Sequence, residues 1–103
     1  MKTKIPEEYY ESLDETMKAL TTVQRLKIIY SLRNKELSVN HVTKAVNGKQ
    51  SNISQHLSYM AGMGLLTVRK ERTNVLFRLK DNKLINLLEQ IQDIALSGER
   101  EEG

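Results

Sequence analysis

Ser51, Asn52 and Gln55 fall on one side of a helical wheel, with Ile53, Leu57 and Met60 on the other at i, i+4 and i+7. Short hydroxyl and amide side chains turned outward in a row can meet the donors and acceptors on base edges, where an amide addresses adenine. Ser58 and Tyr59 share that face, and Lys49 and Gln50 lead into it. His56 lies on the border between the polar and apolar sides. A few residues on, Arg69, Lys70 and Arg72 with Thr73 and Asn74 form a basic hairpin suited to phosphates or the minor groove. A solvated polar face or a solvated charge run accounts for either group alone. The two in succession favour duplex DNA as the partner.

The charge distribution points the same way. Residues 25 to 80 hold eleven Lys or Arg and two acids, Glu36 and Glu71, a net +9 inside a chain of formal charge +3. The flanks are acidic, with five acids against three Lys before residue 25 and six acids against Lys83 and Arg100 after residue 80. A basic middle between acidic ends suits a polyanion, since each phosphate contact releases counterions and the field steers encounter.

The elements that must position these residues are legible from periodicity and caps. Pro6, Glu7 and Glu8 suit a first helical turn, and Tyr9, Leu13, Met17 and Leu20 predict a helix from Glu7 to Leu20. Thr21 with Gln24 reads as a capping box for a second helix running to Arg33, with Val23, Leu26, Ile29 and Tyr30 inward. Ser38 suits the N-cap of a short third helix, Val39 to Val46, with Val39, Val42, Ala45 and Val46 inward. Asn47-Gly48 separates it from the polar-faced fourth helix, as in a helix-turn-helix, and Gly64 supplies the left-handed stop. Leu66 to Lys70 and Val75 to Leu79 alternate with period two around a tip at Glu71 to Asn74. Asp81 can cap a last helix carrying Leu84, Leu87, Leu88, Ile91, Ile94 and Ala95, with a frayed acidic tail over residues 99 to 103. The expectation is a mainly α (α+β) winged helix-turn-helix, five helices and a two-stranded β-hairpin wing in the order ααααββα, as one domain over residues 1 to 98.

Ser51-Asn52-Ile53-Ser54-Gln55-His56-Leu57, then Gly64-Leu65-Leu66, Arg69-Lys70-Glu71 and Val75-Leu76-Phe77-Arg78-Leu79, closely resemble the ArsR/SmtB family of winged-helix repressors. Thr22 to Ile29 resembles that family's second helix, and Glu36-Leu37-Ser38-Val39 its lead into the third. The resemblance spans about residues 8 to 96. It implies a homodimer built on the first and last helices, binding a palindromic operator and repressing transcription. By this reading Lys49, Gln50, Ser51, Asn52, Gln55, His56, Tyr59, Arg69, Lys70, Arg72, Thr73 and Asn74 face DNA, with His56 on backbone or phosphate, or fixing the helix.

The dimer has independent support. Tyr9, Leu13 and Met17 on the first helix, with Leu84, Leu87, Leu88, Ile91 and Ile94 on the last, offer more apolar surface than so small a monomer needs to cover. A two-fold interface would bury both stripes and set two reading helices about one helical turn apart. Packing within one monomer is the alternative.

Several chemistries are excluded or unsupported. There is no cysteine, which removes disulfides, thiolate metal sites and thiol redox sensing. Where metal-sensing relatives carry Cys-x-Cys this chain reads Ser38-Val39-Asn40, and no His follows His56 for a site on the last helix. His41 is a lone imidazole without converging donors, so no metal and no cofactor are expected. Relatives that sense sulfide or oxidants need a cysteine pair, whereas others lacking cysteines act as constitutive repressors, the better match. Met17 and Met60 read as core rather than as oxidation sites. No nucleophile and base set, phosphate-cradling glycine loop or paired carboxylates suggest an enzyme. No apolar run reaches the roughly 18 residues of a membrane span, and residues 1 to 8 lack a signal-peptide core, so a cytoplasmic protein is expected. The leading expectation is a homodimeric, sequence-specific DNA-binding repressor with no metal or thiol inducer. A winged-helix module that binds another regulator through the last helix or the basic face is the alternative.

Overall fold

The first helix begins where Pro6 fixes an extended entry (φ −65°, ψ 152°), and Glu7 and Glu8 suit the positive end of the helix dipole. In the computed structural model, which describes residues 4–102 and the side chains through residue 97, α1 spans Glu7–Lys18. It stops two residues short of the expected Leu20, because the Lys18 carbonyl is taken by the Thr21 hydroxyl (2.9 Å) and an Arg25 guanidinium N–H (2.9 Å). None of its residues is buried.

α2 spans Val23–Ser31, and its N-cap is Thr22 rather than Thr21, with Thr22 Oγ1 accepting from the Arg25 amide at 3.0 Å. Since Thr21 bonds back to α1, the Thr21 and Gln24 capping box does not form. The buried face is Ile28, Ile29 and Leu32, which join the core, while Val23 and Tyr30, expected inward, are exposed.

Leu37–Ser38 forms a short strand, β1, an element beyond the two strands expected. Ser38 then caps α3 (Val39–Val46) through the His41 amide, as expected. α3 ends on Asn47 in the left-handed region (φ 54°), and the Gly48 amide returns to the Thr43 carbonyl at 3.0 Å. The positive φ thus falls on Asn47, and Gly48 serves close packing instead. A Cβ there would stand 2.8 Å from Gln24 Nε2 and 2.9 Å from Ile53 Cδ1.

α4 spans Gln50–Gly62. Gly64 (φ 83°) follows it, and the Leu65 and Gly64 amides return to the Met60 and Ala61 carbonyls, both at 3.0 Å. This is a Schellman closure, which needs a left-handed residue where Gly64 stands. β2 (Leu66–Glu71) and β3 (Asn74–Leu79) pair antiparallel from Leu66 with Leu79 to Glu71 with Asn74, so the tip is only Arg72-Thr73. β1 adds to the other edge of β3, Leu37 opposite Phe77 and Ser38 opposite Leu76. The sheet has three strands in the order β1-β3-β2, one more than expected, and the element order is ααβααββα.

α5 spans Lys83–Glu102, opened by the Asp81 carboxylate accepting from the Lys83 amide at 2.8 Å. It runs on through Ser97-Gly98, where a break was expected. A single helical glycine costs only about 1 kcal/mol, too little to end a long helix. Gly103 lies outside the described residues.

One core joins these elements. Ile28, Ile29 and Leu32 meet Val42 and Val46 of α3, Ile53, Leu57 and Met60 of α4, Leu66, Phe77 and Leu79 of the sheet, and Ile85 of α5. Among the described residues no buried side-chain donor or acceptor lacks a partner.

Candidate nucleic-acid interface

The anchoring of α4 decides what it can present. Ile53, Leu57 and Met60 have no solvent exposure, which fixes the rotation of the helix and turns Ser51, Asn52, Ser54, Gln55 and Ser58 outward. Among the described residues the side chains of Ser51, Asn52 and Gln55 make no hydrogen bond within the chain, so their donors and acceptors are free for a ligand. Lys49 at the N-cap is exposed and makes no side-chain cap. Gln50 is engaged differently. Its Nε2 donates to Asn40 Oδ1 at 2.8 Å, tying the start of α4 to the first turn of α3.

His56 and Tyr59 meet a partner absent from the sequence reading. Arg25 of α2 donates from Nε to His56 Nδ1 at 3.1 Å, and its guanidinium carbon lies 4.3 Å from the centre of the Tyr59 ring. Because Nδ1 accepts, the imidazole is neutral and carries its proton on Nε2. Burial, and then the Arg25 charge, push the His56 pKa below its ordinary value. This hydrogen bond ties the His56 ring on α4 to α2. A cation could touch both residues because they are three apart and so share a helix face. The partner, 31 residues earlier, left no local signal.

The wing divides by face. Leu66, Val68 and Lys70 alternate with Thr67, Arg69 and Glu71, and the register sets Lys70 opposite Val75 and Arg69 opposite Leu76. Arg72 and Thr73 at the tip and Lys70 and Asn74 beside it are exposed, with Arg72 at φ 59°. Arg69 is not free. Its Nε and Nη2 donate to the two oxygens of Glu36 at 2.7 and 2.9 Å, and Glu71 lies 3.5 Å away. The guanidinium expected on phosphate therefore braces the wing against the residue preceding β1. The Arg69 hydrogen bond holds the Glu36 carboxyl below its ordinary pKa.

The two apolar stripes differ in how far they are covered. Tyr9, Leu13 and Met17 are all exposed, as are Leu87, Ile91 and Ile94, whereas Leu84 and Leu88 pack partly on the core. Ile85, omitted from the expected stripe, is the α5 residue that enters the core. Among the described residues His41 has Ser38 as its side-chain partner, its Nδ1 lying 3.1 Å from Ser38 Oγ. Among the described residues no cluster of three His, Cys, Asp or Glu could hold a metal, and no helix is long and apolar enough to cross a membrane.

A helix-turn-helix whose second helix turns polar side chains outward, followed by a β-hairpin, defines a winged-helix DNA-binding protein. The family described as bacterial regulatory protein, arsR family, matches residues 22–68, from the N-cap of α2 into β2. The transcriptional activator HlyU of Vibrio cholerae is 33% identical over 73 residues, 71% of this chain and 68% of that protein. The transcriptional repressor SmtB of Mycobacterium tuberculosis is 29% identical over 94 residues, 91% of this chain and 68% of that one. The crystal structure of NolR from Sinorhizobium fredii superposes with a TM-score of 0.77 at 26% identity, covering 91% of this chain and 96% of the other. The chain belongs to the arsR family of bacterial regulatory proteins. It is a DNA-binding transcriptional regulator and not an enzyme.

Proposed function

We propose that the protein is a cytoplasmic homodimeric repressor that reads a palindromic operator and takes no metal or thiol signal. Ser51, Asn52 and Gln55 meet base edges in the major groove. Lys49, Lys70 and Arg72, with Thr73 and Asn74, contact the phosphate backbone, and Gln50 is held by Asn40 at the edge of the groove. The observation that carries this reading is the free polar face of α4, rotated outward by three fully buried residues and flanked by a basic wing tip.

The dimer follows from Tyr9, Leu13 and Met17 on α1 and Leu87, Ile91 and Ile94 on α5. These are large apolar side chains on two helices, left exposed by the single chain. Burying them against a second copy removes apolar area from water and sets two α4 helices on one face of the duplex. A relative of similar fold from Mycobacterium bovis is described as a homodimeric winged helix-turn-helix domain. The absence of cysteine removes thiolate chemistry as an input.

Selection of bound fragments from random duplex DNA tests the reading. The expected product is an inverted repeat with half-sites about one turn apart. Recovery of unrelated fragments, with equal affinity for recovered and scrambled duplex at matched salt, would overturn it.

A further inference from the structure

Arg25 holds three elements at once. Its backbone amide closes the N-cap of its own helix α2 on Thr22, its Nη1 donates to the last-turn carbonyl of α1 at Lys18 (2.9 Å), and its Nε and guanidinium face engage His56 (3.1 Å) and Tyr59 (4.3 Å) on α4. We propose that Arg25 is a positioning residue for DNA reading: it latches the recognition helix α4 to α1 and α2, and protonation of His56 opens the latch. The proposal rests on the reading of α4 as the base-contacting helix.

The geometry gives the latch one titratable catch. The Arg25 Nε–H has no acceptor on a protonated imidazole, whose Nδ1 becomes a donor, and two adjacent cations then repel. The surroundings offer nothing to offset this. From α2 the charge acting on the ring is Arg25 itself, and on α4 its neighbour Tyr59 carries the same guanidinium. From α1, Lys18 acts on Tyr59 and is itself paired with Asp14 at 3.0 Å, with Glu15 beside it. Among the described residues no carboxylate acts on His56. The latched imidazole resists protonation while a released one titrates near 6.5, so release grows as pH falls below that value. The polar face bearing Gln55 belongs to the same helix as His56 and Tyr59, so opening the latch frees the rotation and tilt that aim Gln55. Phosphate contacts at the wing tip do not depend on it. Acid therefore removes discrimination between sequences rather than affinity for DNA as such.

The test uses the full chain, the duplex recovered by selection at pH 7.5 and a scrambled duplex of equal length, at constant salt from pH 7.5 to 5.0. The readout is the ratio of the two affinities, which cancels the general gain of basic proteins in acid. The wild-type ratio is expected to fall by up to about tenfold per pH unit below 6.5, the limit for one linked proton. The ratio for His56→Asn, whose side-chain oxygen can accept from Arg25 but cannot titrate in this range, stays flat whatever its value at pH 7.5. Arg25→Ala gives a low, pH-independent ratio with scrambled-duplex affinity within about twofold of wild type. A pH-flat wild-type ratio, or a His56→Asn slope equal to the wild-type slope, would overturn the latch. The second result would assign the proton to a group other than His56. Failure of the wild type to select any sequence at pH 7.5 would instead overturn the repressor reading. Should Arg25→Ala prove unfolded by circular dichroism, the His56 comparison decides alone.

Discussion

Arg69 closes on Glu36 across the sheet, Nε to one carboxylate oxygen at 2.7 Å and Nη2 to the other at 2.9 Å. The pair spans β3, joining the far edge of the wing to the residue before β1, and so fixes how the hairpin leaves the helical body. A two-point contact between planar groups sets orientation as well as distance. The tip residues Lys70, Arg72, Thr73 and Asn74 are thereby held out on a defined arm, a geometry a free hairpin would lack.

This assigns different work to two neighbouring cations. Lys70→Ala should weaken binding to all duplexes alike and lower the slope of log affinity against log salt by about one ion. Arg69→Ala should leave that slope within experimental error of wild type and raise hydrogen exchange across β2 and β3. Equal slope changes in the two variants would return Arg69 to the phosphate backbone.

The same pair makes wing order depend on pH. The Arg69 hydrogen bond depresses the Glu36 pKa, so its contribution is complete above the ordinary carboxylate value of 4.5 and is lost as pH falls through the depressed value. Amide protection in β2, corrected for the pH dependence of intrinsic exchange, should fall in that acidic window and stay level in Glu36→Gln. Loss of protection that begins above about pH 5 would point to another group.

Base reading by α4 carries its own signature. Gln55→Ala should cost about 1–3 kcal/mol of discrimination at one base pair in each half-site and little affinity for scrambled DNA. Competition binding against single-base variants of the selected site resolves this. A uniform loss at every position would mean that Gln55 supports the helix rather than reads.

At Gly48 the packing is tight on the side of a residue that cannot yield. A Cβ would meet Ile53 Cδ1 at 2.9 Å and Cγ1 at 3.0 Å, and Ile53 is fully buried, while Gln24 Nε2 at 2.8 Å is the end of a flexible chain. Gly48→Ala should destabilise the fold by about 1–3 kcal/mol, as overpacking does. Removing the Gln24 side chain as well should recover little of it, because Ile53 supplies the harder contact. Thermal melts of the single and double variants decide, and full recovery in the double variant would move the conflict to Gln24.

What the sequence revealed and what it hid follow from the range of each interaction. The α4 periodicity, the Ser38 and Asp81 caps and the Gly64 stop depend on residues within a few positions, and each is present as expected. Two adjacent threonines left the α2 cap ambiguous by one residue, and the tertiary packing that buries Ile28, Ile29 and Leu32 leaves Val23 and Tyr30 outside. β1 is two residues long, too short to show alternation, and exists because β3 offers it an open edge. Arg25 on His56 and Arg69 on Glu36 join residues more than thirty positions apart, and nothing local distinguishes such a cation from one awaiting phosphate.

The exposed stripes set the last expectation. Ile91 lies midway along the uncovered α5 face, between Leu87 and Ile94, and is 47% exposed in the single chain. At the centre of a two-fold contact each such residue is counted twice, once per subunit, so a buried charge there is repeated as well. Ile91→Asp should weaken self-association by at least about 30-fold, the equivalent of a hot spot of 2 kcal/mol. The variant should retain the monomer core, since Ile91 is outside it and Ile85 supplies the α5 contact. Sedimentation equilibrium should then show a folded monomer whose melting temperature no longer rises with concentration. A variant that remains dimeric with unchanged affinity would place the interface elsewhere on the chain.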